Sequence, residues 1–269
     1  MNNKILIIGN GYIADNFIFS VKDLYNVTVY ARNKNIEYTN VTYIYALTEN
    51  IDLIENTFDN IFILSGISRP NKFSLLNEVV YANVFLVSKI LDFAKQNNSK
   101  IFYPATSLAL SNTTSKLNYY SYSHTIAIDI IKQSNVNYTI CYLHNIYGNL
   151  TEMPKKNKMV IDKFIDCYYN RQPVTLINNG LQRRIFTHIT DVIAYMIYSL
   201  NNKNTEVNLI KNNIMYSIKE IAELLNLQTH TEESKLYSLD DPHILPIDDI
   251  GEWIESIDIK EWIINRIQI

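Results

Sequence analysis

The sequence predicts an α/β fold, a doubly wound parallel sheet with a smaller C-terminal α/β lobe for substrate. Three observations predict it. Short apolar runs of strand length recur through the first 150 residues, most followed by a longer segment with helical spacing. A glycine-rich turn stands directly after the first run. Past about Thr151 the alternation loosens while strand-like and helix-like segments persist.

Taken in order, Lys4 to Ile8 is a continuous apolar strand, followed by the turn Gly9-Asn10-Gly11-Tyr12-Ile13-Ala14 and a helix expected from about Asp15 to Lys22. Val27 to Tyr30 is a β-branched strand, so the chain opens β-turn-α-β. Asn60 to Leu64 is a further buried strand. Apolar residues at helical spacing, Val79 to Phe93, predict a helix over Leu76 to Gln96. Lys100 to Tyr103 is a strand expected to end at Pro104. Tyr120 to Gln133 is helical by period, and Tyr138 to Leu143 is again a strand. Lys155, Lys156 and Lys158 form a basic loop before a helix from about Val160 to Asn170. Pro173 to Ile177 reads as a strand, Asp191 to Leu200 as a helix and Glu206 to Ile210 as a short strand. Ser217, with Glu220 three residues on, has capping-box spacing. The expected division is 1–150 for the main domain and 151–269 for the lobe, with some segments of the latter returning to the main domain.

Composition narrows the partners. The 269 residues are 47% hydrophobic and 19% charged with a formal net charge of −3, which indicates no bulk polyanion such as nucleic acid. Cys141 and Cys167 are too few for a disulfide framework and lack metal-ligand spacing. Met1-Asn2-Asn3-Lys4 leads straight into the first strand rather than into a signal peptide. No apolar stretch approaches the roughly 18 to 20 residues of a membrane span. The expectation is a cytoplasmic protein with no metal, no nucleic acid and no membrane partner. Glycine is scarce, with six in the chain: Gly9, Gly11, Gly66, Gly148, Gly180 and Gly251.

The chemistry concentrates in a few places. Gly9 and Gly11 let a backbone approach a pyrophosphate, and the helix behind them presents free N–H groups to it. Ala14 holds the third glycine position of such turns and is small enough to keep helix and strand close. After the second strand, NAD enzymes place an acidic residue for the adenosine ribose. Here stand Arg32, Asn33 and Lys34, a cationic step suited to the 2′-phosphate of NADP(H). Tyr120, Ser123 and His124 form a Y-x-x-S-H cluster, with Tyr120 and His124 one helical turn apart. Thr106 follows the strand that precedes them. A hydroxyl and a tyrosine so placed can converge on one carbonyl oxygen, the tyrosine moving the proton while a cofactor carries hydride.

The ordered set resembles the extended short-chain dehydrogenase/reductases that act on nucleotide sugars, the NAD(P)-dependent epimerases, dehydratases and 4-ketoreductases, which have a Rossmann-like sheet. Gly9 to Ala14 looks like the cofactor fingerprint, with Tyr12 and Ile13 in it. Leu64-Ser65-Gly66 resembles the post-strand Leu-Ala-Gly, and Asn83 matches an asparagine of the family. Lys100 to Leu110 is similar to the strand that carries the catalytic Ser/Thr, which aligns with Thr106, and Tyr120 matches the catalytic tyrosine. Asn145-Ile146-Tyr147-Gly148 resembles N-x-Y-G. Gly180 to Val192 resembles G-x-Q-x-R-D-F-x-H-V-x-D-V, and Gly251 before Trp253 a degenerate C-terminal segment. The resemblance implies cofactor contacts from Gly9, Gly11, Tyr12, Ile13, Arg32, Asn33, Lys34, Ser65, Gly66 and His124. It implies substrate contacts from Ser107, Asn145 and Arg184, the last on the diphosphate. It also implies a homodimer built on the helices at Leu76 to Gln96 and Tyr120 to Gln133.

Three positions depart from the family. His124 stands where the family has lysine, Ala14 where it has the third glycine, and Ile185 where it usually has aspartate. The lysine binds the nicotinamide ribose and lowers the tyrosine pKa. Histidine can donate to the ribose, but its charge near neutrality is conditional, so activity is expected to fall as the imidazole deprotonates. The expected activity is NADPH-dependent reduction of a nucleotide-linked 4-keto-6-deoxy sugar in surface-polysaccharide sugar biosynthesis. The alternatives are a 4-epimerase that retains NAD and a non-catalytic dinucleotide-binding protein. A dehydratase fits less well, because Ser107-Leu108 follows Thr106 where family dehydratases carry Asp-Glu.

Overall fold

Ile5 to Ile8 of the first strand are wholly buried, and their alternation sets the architecture. Ile5 and Ile7 point into one core, Leu6 and Ile8 into another, so the strand is covered on both faces. The computed structural model describes residues 3–67, 76–110, 119–151, 159–201, 205–209, 214–233 and 257–267.

The main sheet contains β1 (Lys4–Ile8), β2 (Asn26–Ala31), β3 (Val41–Tyr45), β4 (Asn60–Ile63), β5 (Lys100–Thr106), β6 (Tyr138–Leu143) and β11 (Thr205–Asn208). Its order is β3-β2-β1-β4-β5-β6-β11, and each neighbouring pair is parallel. Helices α1 (Tyr12–Val21) and α6 (Ile189–Ser199) cover one face through Phe17, Ile18, Val192 and Met196. On the other face lie α2 (Leu76–Val80), a single wide π-helical turn (Tyr81–Phe85), α3 (Leu86–Asn97) and α4 (Tyr119–Gln133). Of these, α3 and α4 pack on the sheet through Val87, Ile90, Leu91, Ile128 and Ile131, and α2 lies against α4. This is the doubly wound Rossmann-like sheet that the sequence predicts.

The remaining elements are β7 (Asn145–Tyr147), α5 (Val160–Asn170), β8 (Val174–Ile177), β9 (Arg183–Arg184), β10 (Phe186–His188), β12 (Tyr216–Ser217), α7 (Ile218–Leu224), β13 (Thr229–Glu232) and α8 (Ile259–Ile267). Their strands form the two-stranded pairs β7–β10, β9–β12 and β8–β13. A third core joins them through Tyr147, Phe164, Leu176, Ile221 and Ile263. Ser217 caps α7: its Oγ accepts the Glu220 N–H at 3.0 Å while Glu220 Oε2 accepts the Ser217 N–H at 2.6 Å.

Several boundaries differ from the sequence expectation. Helix α1 begins at Tyr12 rather than near Asp15, because Gly11 is the N-cap and its carbonyl accepts the Asp15 N–H at 2.8 Å. Strand β3 has no counterpart in the sequence reading, although Val41 to Tyr45 is wholly β-branched and aromatic; it is a sheet edge and only half buried. Strand β5 runs through Pro104 to Thr106. The Lys100 and Ile101 N–H groups point to opposite neighbours, towards Asp59 and Asn137, so the Pro104 nitrogen faces β4. Pairing with β4 ends at Phe62↔Phe102, and the missing donor therefore falls where that ladder stops, while pairing with β6 continues to Thr106↔Leu143. Helix α6 starts at Ile189 because His188, not a later residue, caps it. Lys155, Lys156, Lys158, Ile210, Gly251 and Trp253 lie outside the described residues. Among the described residues no helix is long and apolar enough to cross a membrane.

Candidate active site

In a parallel sheet, everything that follows the carboxyl end of a strand lies along one edge. Gly9 to Gly11 follow β1, Arg32 to Lys34 follow β2, Ser65 and Gly66 follow β4, Thr106 ends β5, and Asn145 comes two residues after β6. The topology thus gathers the candidate residues from five strands at one rim. The strand order reverses between β1 and β4, and there Gly9 turns with φ +109. A Cβ on Gly9 would approach the Leu64 carbonyl oxygen to 2.8 Å, so the two loops touch through backbone alone. Gly11 differs: a Cβ built there would meet nothing within 4 Å. The start of α1 is therefore open on the Cβ side of Gly11, and a helix N-terminus with such room suits a dinucleotide pyrophosphate.

Side chains brace this turn. Asn10 Nδ2 donates to the Asn33 carbonyl at 2.6 Å, and Asn35 Nδ2 donates to the Asn10 carbonyl at 2.9 Å. Arg32, Asn33 and Lys34 are all exposed. Lys34 Nζ lies 5.6 Å from the centre of the Tyr45 ring, and Arg32 is close enough to Glu49 to help hold that carboxylate below its usual pKa, behind the larger effect of a Tyr81 hydrogen bond. Tyr12 donates through its hydroxyl to the Gly148 carbonyl at 2.5 Å, linking the first turn of α1 to the N-x-Y-G segment. Ile13 packs on the core beside it.

The tyrosine helix is tied to the same rim. Asn83, buried in the π turn, accepts the Ile67 N–H at 2.8 Å through Oδ1. Its Nδ2 donates to the Ile67 carbonyl at 3.2 Å and to Ser123 Oγ at 3.1 Å. Ser123 in turn donates to the Tyr120 carbonyl at 2.7 Å. Asn83 thereby joins the loop after β4 to the first turns of α4. Thr106 and Ser107 are buried, and Thr106 Oγ1 accepts the Leu108 N–H at 3.3 Å.

Tyr120 meets the His124 ring edge-on at 4.7 Å between centroids, which confirms that the two lie on one helix face. His124 is 9% exposed and its Nδ1 is 2.7 Å from the Tyr103 hydroxyl. Burial pushes the imidazole down to about 4. The expectation of a charge conditional near neutrality is therefore corrected: His124 is neutral throughout the physiological range, because its surroundings are too dry to hold a cation. Burial likewise pushes the Tyr103 phenol well above its usual range, so it keeps its proton.

On the lobe side, the two late motifs are one structure. Strands β7 and β10 pair in parallel with Asn145↔Phe186 and Tyr147↔His188, so N-x-Y-G lies against F-x-H. The Ile185 carbonyl accepts both the Asn145 N–H at 3.2 Å and its Nδ2 at 3.0 Å. Gly148 turns with φ +83, and a Cβ there would come 2.2 Å from His188 Nε2. The rings of Tyr147, His188 and Trp262 meet edge-on or tilted with centroids 5.0 to 6.0 Å apart, and Tyr147 donates to the Ile257 carbonyl at 2.6 Å. Arg184 is half-buried in β9, opposite Tyr216 of β12. Ile185 is buried, so an apolar side chain replaces the family's aspartate without an empty polar site.

Sequence reasoning missed Tyr103 and the Asn10 and Asn35 braces. The one signal for Tyr103 was a polar-tipped aromatic at the end of the apolar run Ile101-Phe102-Tyr103, and twenty tyrosines in the chain masked it.

Known proteins share this architecture. The model of the NAD dependent epimerase/dehydratase family matches residues 5–214. The solved structure of ADP-L-glycero-D-manno-heptose-6-epimerase from Helicobacter pylori is similar at 19% identity and a TM-score of 0.80, covering 99% of this chain and 96% of that one. The structure of MoeE5 in complex with UDP-glucose and NAD is similar at 15% identity and a TM-score of 0.81, covering 98% and 97%. At such identities the likeness is one of fold. A bifunctional polymyxin resistance protein, ArnA, of Wigglesworthia glossinidia brevipalpis is 35% identical over 80 residues, which is 28% of this chain and only 12% of that protein's length.

Proposed function

The chain belongs to the NAD dependent epimerase/dehydratase family, and we propose that it reduces the keto group of a nucleotide-linked 4-keto-6-deoxy sugar with NADPH. The bound cofactor supplies hydride; the rest falls to the chain's own residues. Gly9, Gly11, Tyr12 and Ile13 receive the pyrophosphate at the start of α1, and Arg32, Asn33 and Lys34 receive the 2′-phosphate. Ser65 and Gly66 border the dinucleotide, and His124 donates to the nicotinamide ribose. Thr106 holds the keto oxygen and Tyr120 delivers the proton. Ser107 and Asn145 orient the sugar, and Arg184 holds the diphosphate. Residues 151–269 mainly carry the substrate.

The observation that carries this reading is the buried, neutral His124 beside Tyr120. An epimerase cycle begins by oxidising an alcohol, which requires Tyr120 as a tyrosinate, and a neighbouring cation stabilises that anion. A neutral imidazole supplies no cation, so Tyr120 stays a proton donor, which is what reduction uses. The exposed Arg32-Asn33-Lys34 step, with no carboxylate among them, favours NADPH. A second reading is an epimerase with retained NAD, which the epimerase and NAD complexes among the similar structures favour. Exposed Leu76, Val80, Tyr81, Phe85, Tyr119 and Tyr122 on the helices at α2–α4 support a homodimer through that face, in a cytoplasmic enzyme for surface polysaccharide.

NADPH and NADH oxidation with a panel of nucleotide-linked 4-keto-6-deoxy sugars tests the proposal. NADPH turnover that falls at least about a hundredfold in Tyr120→Phe is expected. Interconversion of unreduced nucleotide sugars, with NAD released on denaturation, would replace it with the epimerase. Cofactor binding without turnover would leave a non-catalytic binder.

A further inference from the structure

Histidine at position 124 takes the place of a charged lysine, and β5 supplies its partner. Tyr103, 3% exposed, is buried in the core between the sheet and α4. Its hydroxyl lies 2.7 Å from His124 Nδ1, and among the described residues that nitrogen is its one hydrogen-bond partner. Two arrangements fit the distance. If Nδ1 carried the proton and donated to the phenol oxygen, the phenol's own O–H would be buried with no acceptor, a costly state. If the phenol donates, both groups are satisfied and the imidazole proton must sit on Nε2. The edge-on Tyr120 ring packs against the same imidazole and limits its rotation.

We propose that Tyr103 is a positioning residue: by donating to Nδ1 it locks His124 as the neutral Nε2–H tautomer, so that the ring offers one fixed donor outward where lysine offers a mobile cation. That this donor meets the cofactor ribose rests on the function proposed above; the tautomer does not. The arrangement makes the histidine a working replacement only in the company of a phenol at 103. Tyrosine and histidine at these two positions form one unit.

The test is the ¹⁵N spectrum of the full-length, unliganded protein labelled at histidine, with His124 assigned among the five histidines by a His124→Asn variant. A pyrrole-like Nε2 and a pyridine-like Nδ1 are expected. A pyrrole-like Nδ1 in the wild type would overturn the proposal, whatever the variants do. In Tyr103→Phe, the shifts should move towards the mixture seen for solvent-exposed histidine, and the cofactor Kd should rise about fivefold, the worth of one hydrogen bond. Unchanged His124 shifts in that variant would also overturn it. In a His124→Lys background, Tyr103→Phe should leave the cofactor Kd unchanged; the same fivefold loss there would mean that the phenol acts on packing alone. If neither NADPH nor NADH binds the wild type, the function proposed above fails while the spectrum still decides the tautomer.

Discussion

In the main sheet, Ile5 to Ile8 are wholly buried and Gly9 turns against the backbone of Leu64 and Ser65. In the lobe, all four residues of β13 are exposed though the strand pairs fully with β8, and Gly148 turns against a side chain, His188. At the first turn main chain meets main chain; at the second main chain meets the ring of a residue forty positions away. Backbone cannot yield to a substitution, whereas a side chain can shift. Gly9 is therefore the less forgiving of the two turns, and Gly148 the one whose surroundings can adjust.

The largest expected effect tests that contrast directly. Gly9→Ala should cost at least about 3 kcal/mol, since both its positive φ and the backbone facing it oppose a methyl group. Gly148→Ala should cost less, about 2 kcal/mol, because the group facing it is the tip of the His188 ring rather than backbone, although moving that ring disturbs its cap on α6. Urea midpoints at unchanged m value measure both, and equal losses would break the comparison.

A second experiment uses pH. The folded-state pKa of His124 is about 4 against a usual 6.5. Between those values the unfolded chain binds a proton that the folded chain refuses. This group's share of stability is thus complete above pH 6.5 and declines as pH falls, by up to about 3 kcal/mol at pH 4. The stability of wild type minus that of His124→Asn, followed from pH 7 to 4, isolates the effect. A flat difference would mean that the imidazole is wetter than its burial implies.

The smallest effect belongs to the lobe. Ser217→Ala removes one side of the capping box of α7 and should cost about 1 kcal/mol in the same urea assay. A loss as large as that of Gly9→Ala would place a rigid element where the contrast has none.

The same contrast explains what could be read from residues alone. Strands β1 and β6 and helix α5 follow from continuous apolar runs or helical spacing, and they stand at or very near their expected bounds. The ribbons β9, β12 and β13 are two to four residues long, polar, and defined only by their partners, so no local pattern announces them. Pro104 misled because a proline inside a strand is harmless when its nitrogen faces a ladder that has ended, a fact about the neighbour and not about β5. The candidate site behaved likewise. Gly9, Thr106, Tyr120 and Arg184 were legible as motif positions. The protonation state of His124 was not, because it depends on burial by residues far apart in the chain.

The π turn at Tyr81–Phe85 carries a consequence for chain length. Val79, Asn83 and Val87 are spaced by four, more than the 3.6 residues of an α-helical turn, and all three are buried. The wide turn absorbs that surplus. Deleting one residue within it would close the wide turn to an ordinary α-helical one and leave α2 and α3 facing as they do now. Val87, Ile90 and Leu91 would keep their places in the core, while Asn83 would lose the geometry that aims it at the Ile67 backbone. A one-residue deletion here should thus spare the helix packing and release the loop after β4.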